Sequence, residues 1–156
     1  MFVPAGDLNG DRCADVYARV GDQLRAYRPG CGKVVSASSP YTVVGSGWGQ
    51  YDVLTSPGDV NGDGRGDLLG VDAAGVLWRY YGTATGGVSA RVKVGGGWGG
   101  YSALVGVGDL SGDGRADLVA RDTAGRLYAY KGAGNGLYGT RAVIGSSGWN
   151  GFKGLY

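Results

Sequence analysis

The chain repeats one unit three times. GDLNGDRCAD begins at Gly6, GDVNGDGRGD at Gly58 and GDLSGDGRAD at Gly108, so their first aspartates, Asp7, Asp59 and Asp109, stand 52 and then 50 residues apart. Trp48, Trp98 and Trp149 keep nearly the same step, as do LRAY, LWRY and LYAY, which start at Leu24, Leu77 and Leu127. A unit of about 50 residues cannot bury an apolar face by itself, so the fold must stack neighbouring copies.

The second unit reads as four strands: YDVLTS (51–56), DLLGVD (67–72), VLWRYY (76–81) and VSARVKV (88–94). Turn residues separate them, as the AAG and TATGG stretches show. Leu68, Leu69 and Val71 put apolar groups on both faces, which suits a small sheet held between two others. No helical period runs through ten residues. Composition points the same way: 43% apolar residues argue against disorder, and 35 glycines lack the collagen triplet period. Four strands per unit of about 50 residues describe a propeller blade. The expected fold is therefore all-β, with three four-stranded blades at approximately 1–50, 51–100 and 101–156.

The aspartate-rich loops carry the chemistry. All 13 acidic residues are aspartates, and nine of them lie in the three loops. Asp59, Asn61, Asp63 and Asp67 fall at the first, third, fifth and ninth places of a glycine-rich curl. Oxygen donors at alternate positions converge when glycines let the backbone bend, and hard oxygens at that density suit Ca²⁺. The competing reading is a plain turn, because Asn-Gly and Asp-Gly are ordinary turn signals.

This pattern (an aromatic strand, GD-x-[NS]-GD-x-x-x-D, a DL-type strand, a glycine turn and an aromatic strand) resembles the FG-GAP/VCBS-type repeat of integrin α-subunit propellers and secreted actinobacterial proteins. The resemblance covers essentially the whole chain. It implies a β-propeller with about three Ca²⁺ ions, one in the loop joining the first two strands of each blade. Carried over by position, the ligands are Asp7, Asn9, Asp11 and Asp15; Asp59, Asn61, Asp63 and Asp67; and Asp109, Ser111, Asp113 and Asp117. Main-chain carbonyls of Cys13, Arg65 and Arg115 complete the sets. Two departures stand out: Arg12 replaces the glycine found at Gly64 and Gly114, and Ser111 is a poorer donor than asparagine. All three loops are expected to bind, the second most tightly.

On the blade map, Cys13 and Cys31 face each other just outside a hairpin turning at Gly21 and Asp22. A disulfide there implies an oxidising compartment; the alternative is two free thiols inside a cell. The aromatic motif GWGQY (47–51) recurs as GWGGY (97–101) and GWNGF (148–152), at the end of the blades opposite the loops. Trp48, Tyr51, Trp98, Tyr101 and Trp149 are either wedge packing between blades or a platform for sugar rings.

Catalysis has little to draw on. There is no histidine, and outside the loops only Asp22, Asp52, Asp72 and Asp122 carry carboxyls. No apolar run is long enough for a membrane span, MFVPAGD does not read as a signal peptide, and a net charge of +2 is too small to imply nucleic acid. The expected function is a secreted, non-catalytic binding module, lectin-like towards carbohydrate, of the kind that serves as an accessory domain of a secreted hydrolase. The alternative is a protein-interaction or adhesion propeller. Three blades do not close a ring, and FKGLY (152–156) aligns with the start of a first strand of which MFVP is the tail. A head-to-tail homodimer with six blades is the expected assembly, against a fragment of a longer propeller.

Overall fold

A computed structural model describes residues 1–153 of the chain. Three antiparallel sheets follow one another, each of four strands placed side by side in chain order. The first contains β1 (Phe2–Ala5), β2 (Asp15–Val20), β3 (Gln23–Tyr27) and β4 (Thr42–Gly45). The second contains β5 (Tyr51–Gly58), β6 (Asp67–Asp72), β7 (Leu77–Tyr80) and β8 (Val92–Gly95). The third contains β9 (Tyr101–Gly108), β10 (Asp117–Asp122), β11 (Leu127–Tyr130) and β12 (Ala142–Gly145). These are three propeller blades, with the first strands β1, β5 and β9 lying next to one another. Between blades, the Trp motifs form single 3₁₀ turns at Trp48–Gln50, Trp98–Gly100 and Trp149–Gly151. Among the described residues, no helix is long and apolar enough to cross a membrane.

The alternation of a strand explains why the middle sheet is apolar on both sides. Leu68 joins Leu54 and Tyr80 in a core shared with Val3, Tyr17 and Leu24 of the first sheet. Its neighbours Leu69 and Val71 point the other way and join Leu104, Leu118 and Ala120 of the third. Leu68, Leu69 and Leu77 are wholly shielded from solvent, and each such side chain contributes about 1.5–3 kcal/mol of burial.

The fourth strand differs from the run expected at 88–94. Val88 only bridges back to Gly82 across the Thr83–Gly87 turn, and regular pairing resumes at Val92. The break has a cause: the Ser89 amide donates to the Tyr81 carbonyl, and Arg91 turns its guanidinium onto the Trp78 ring 4.2 Å away. The first strand is longer than expected, since β5 continues to Gly58 through irregular register before the aspartate loop.

Close approach of the inner strands fixes one glycine. A Cβ on Gly106 of β9 would collide with the main chain of Pro57 in β5, and the Gly106 amide donates to Thr55 Oγ1 at 2.8 Å. Gly106→Ala should therefore lower the unfolding free energy by about 1–3 kcal/mol in urea titrations.

Candidate functional site

Each aspartate loop is built around its first carboxylate. Asp59 Oδ1 accepts the amides of Asn61, Gly62 and Asp63, and its Oδ2 accepts the Gly64 amide at 2.6 Å. Asp7 does the same with Asn9, Gly10, Asp11 and Arg12. Asp109 does so with Gly112, Asp113 and Gly114. The fifth-place carboxylates accept the seventh-place amides, Cys13 to Asp11, Arg65 to Asp63 and Arg115 to Asp113. A left-handed backbone at the sixth place makes the curl, with φ of 82° at Gly64 and 81° at Gly114. Arg12 takes the same conformation at φ 66°, the one positive value outside glycine among the described residues.

The ninth aspartates lie underneath. Asp15, Asp67 and Asp117 are at most 1% exposed. Asp67 accepts the Val60 amide on one oxygen and the Gly82 amide on the other, both at 2.8 Å. Asp117 likewise accepts the Gly132 amide, but on its other oxygen it takes the third-place amide of Ser111 in place of the second-place one. In the first blade Leu8 donates to Asp15 Oδ2, but Pro29 stands where Gly82 and Gly132 stand and has no N–H. Asp15 Oδ1 is therefore buried without a partner. Burial pushes the Asp67 carboxyl up to about 6 against its two amides, with Asp63 and Asp59 adding to the rise. The Asp15 carboxyl is raised for the same first reason, with Asp11 and Asp7 adding to it. Asp109 moves the other way, held low by the Gly114 amide and then by those of Asp113 and Gly112, against some burial.

Cys13 and Cys31 form a disulfide, with Cα atoms 5.1 Å apart. The bond joins the first loop to the segment leaving β3, the two pieces that Asp67 and Gly82 tie together in the second blade. Where Pro29 removes a hydrogen bond, the disulfide restores the connection covalently.

The donor set suits a hard cation. Each loop brings carboxylates from its first, fifth and ninth places and a side-chain oxygen from its third, and an unpartnered buried oxygen on Asp15 is what such an ion satisfies. The loops are not preformed cages, however. Among the described residues no three acidic side chains converge as a metal cluster. Asn9 and Asn61 donate their side-chain N–H groups to the Asp11 and Asp63 carboxylates, while their oxygens are engaged by the Asp11 and Asp63 main-chain amides. Binding requires those side chains to turn.

The aromatic motif is packing first. Trp48 and Tyr51 are 5% and 1% exposed, and Trp48 stacks on Tyr80 at 4.6 Å. Neither offers a face to a sugar, because Val44 and Leu24 of the preceding blade close the wedge. Trp98 repeats the contact with Tyr130 at 4.7 Å, yet Trp98 and Tyr101 are only half-buried. Trp149, half-buried as well, meets Phe152 at 5.6 Å. Each turn is anchored on the preceding β-turn: the Trp48, Trp98 and Trp149 amides donate to the carbonyls of Asp22, Gly75 and Gly125.

Two sets of residues escape local sequence reading. Asp22 accepts the amides of Gly47 and Gly49 and so clamps the next blade's Trp turn, whereas Asp72 and Asp122 cap their own turns. By register Val20 fills the Asp72 and Asp122 place in the first blade, and Asp22 stands where Gly75 and Gly125 stand. Arginine–aromatic stacks also recur: Arg91 on Trp78 and Arg141 on Tyr128, at 4.2 and 4.4 Å. In the first blade the pair is exchanged, with Arg25 on β3 lying over Tyr41 at 4.4 Å.

Two variants test the first loop. Replacing both cysteines by serine should cost roughly 3 kcal/mol of unfolding free energy, the loop-closure value for a short bridge. Arg12→Gly should gain about 1 kcal/mol by relieving the left-handed backbone, less glycine's entropy cost. Both are measurable by urea unfolding of the otherwise unchanged chain.

Comparison with known families agrees with this construction. Residues 59–120 match the family model of the FG-GAP-like repeat, from the first aspartate of the second loop to the second strand of the third blade. A search of curated proteins returned no match. Residues 59–120 thus match an FG-GAP-like repeat, within a chain built as three successive four-stranded, propeller-like blades.

Proposed function

We propose that the chain is a non-catalytic, Ca²⁺-stabilised propeller module of a secreted protein, serving as an interaction surface for a polypeptide partner and closed into a ring by a second copy. The observation that carries it is the threefold recurrence of one loop with the same amide-to-carboxylate bonds and the same oxygen-bearing places. Asp7, Asn9, Asp11 and Asp15, their counterparts in the second loop, and Asp109, Ser111, Asp113 and Asp117 in the third would hold the ions. The carbonyls of Cys13, Arg65 and Arg115 would complete each set. A bound divalent cation supplies the positive charge that offsets three crowded carboxylates. The loops then hold the corner between the first and second strands rigid. The face they form is shallow and polar: a cleft of about 300 Å³ between the first two loops is lined by Asp7, Asn9, Asp63 and Arg65. Such a surface suits extended contact with a polypeptide more than capture of a small substrate. The disulfide supports an oxidising, extracellular setting.

Calorimetric titration of the metal-stripped chain should show about three Ca²⁺ sites. A ligand at 100 times its dissociation constant stabilises the fold by about 2.7 kcal/mol, so chelation should lower the melting temperature and Asp63→Ala should reproduce part of the loss. A melt unchanged after verified metal removal overturns the structural role.

A second reading, binding of a saccharide, is favoured by the half-exposed rings of Trp98, Tyr101 and Trp149. A glycan array decides it: binding that disappears in Trp98→Ala supports the sugar site, and a blank array leaves the polypeptide surface as the function.

A further inference from the structure

The junctions between blades follow one rule, and the two outer faces of the chain depart from it in matched ways. By strand register, Phe2 occupies the place of Leu54 and Leu104, opposite Ala18 as they are opposite Gly70 and Ala120. Leu54 and Leu104 are buried against the preceding blade, whereas Phe2 is 74% exposed. On the other outer face Ile144 stands where Val44 and Val94 pack against the following blade, and it is 51% exposed. The third blade's outer face is thus of the kind that receives a next blade, and the first blade's of the kind that docks on a previous one.

The segment after the third Trp turn is already aimed at such a docking. Arg19 Nη1 donates to the carbonyls of Trp48 and Tyr51, directing the chain into β5. Arg121 Nη1 holds the carbonyls of Trp149 and Phe152 in the same manner, at 2.8 and 2.7 Å. Phe152 therefore sits where Tyr51 and Tyr101 begin their strands opposite Asp72 and Asp122. In the first blade the matching position on β2 is Val20. Met1 pairs with Arg19, and among the described residues nothing stands opposite Val20.

Two pairs of substitutions show that these faces suit each other. Within the chain, Arg91 donates to the Tyr51 hydroxyl at 3.2 Å and Arg141 to the Tyr101 hydroxyl at 2.8 Å. Phe152 has no hydroxyl, and the first blade has Tyr41 in place of that arginine, so acceptor and donor are lost together. At the junction of the second and third blades, Gly106 N–H donates to Thr55 Oγ1. Pro4 stands at the Gly106 place without an N–H, and Val105 at the Thr55 place without an acceptor. Joining the third blade to a first blade leaves neither a buried donor nor a buried acceptor at these two points.

We propose that Phe152 of one copy starts the first strand of the first blade in a second copy, opposite that copy's Val20 and against its Tyr27 and Tyr41. Trp149 then meets Tyr27 of the second copy, as Trp48 meets Tyr80 and Trp98 meets Tyr130 within the chain. The groove of about 390 Å³ lined by Phe2, Pro4, Val16 and Tyr27 is covered by the incoming third blade. Because the contact is head-to-tail, two copies close a six-bladed ring with two identical new junctions. This assignment rests on the reading that a second copy completes the ring.

Light scattering at micromolar concentration should give a mass near twice 15.9 kDa. Phe152→Ala should weaken association roughly tenfold or more, with near-ultraviolet circular dichroism unchanged. Mixing Val20→Cys chains with Phe152→Cys chains under mild oxidation should yield a cross-linked pair that neither variant forms alone. A dimer that ignores Phe152→Ala and gives no cross-link overturns the strand assignment and leaves ring closure standing. A monomer throughout the concentration range overturns ring closure by copies, and the assignment with it.

Discussion

A buried carboxylate bonded to two backbone amides is the constraint on which each blade depends. Asp67 gathers the loop through Val60 and the exit of β7 through Gly82, while itself opening β6. Three chain segments thus meet at a single fully shielded side chain. An acid so deep is tolerated because its oxygens face fixed N–H dipoles, and removing it would strand two donors away from water. The exposed carboxylates above it are held at the rim by the same economy of amides. The loop is consequently shaped before any partner arrives, although its side chains are not all turned towards one point.

The first blade solves the same problem with different chemistry. Pro29 deletes one of the two amides, Arg12 accepts a conformation that glycine takes elsewhere, and Cys13–Cys31 ties the loop to the segment that the missing hydrogen bond would have held. The exchange of Arg25 and Tyr41 relative to Trp78 and Arg91 belongs to the same set of changes. A cation over an aromatic face is indifferent to which strand supplies which partner, so the pair survives inversion where either change alone would not.

What was legible in the sequence was what short range decides. Alternation in DLLGVD, the turn glycines and the aspartate spacing act within ten residues, and the strands and loops follow from them. The pairing of Cys13 with Cys31 was legible because the hairpin at Gly21 places them symmetrically. Features set by distant neighbours were not. VSARVKV alternates like a continuous strand, and only the Trp78 ring on β7 shows why Arg91 interrupts it. Trp48, Trp98 and Trp149 sit in near-identical motifs, yet Trp48 is buried while Trp98 and Trp149 are only half-buried. The lone oxygen of Asp15 depends on a proline fourteen positions away, and the clamp made by Asp22 shows only when the donors to its carboxylate are traced to the following Trp turn.

Sheet order that matches chain order has a kinetic consequence. Every strand pairs with the strand just before or after it, so each meander closes through short loops, and the loop-closure entropy of each pairing is small. The hairpins of a blade can pair as soon as their residues have left the ribosome, and each later blade completes the burial of the one before it. Synthesis itself thereby supplies an order of events, in which the outer face of each blade matures before the following blade reaches it.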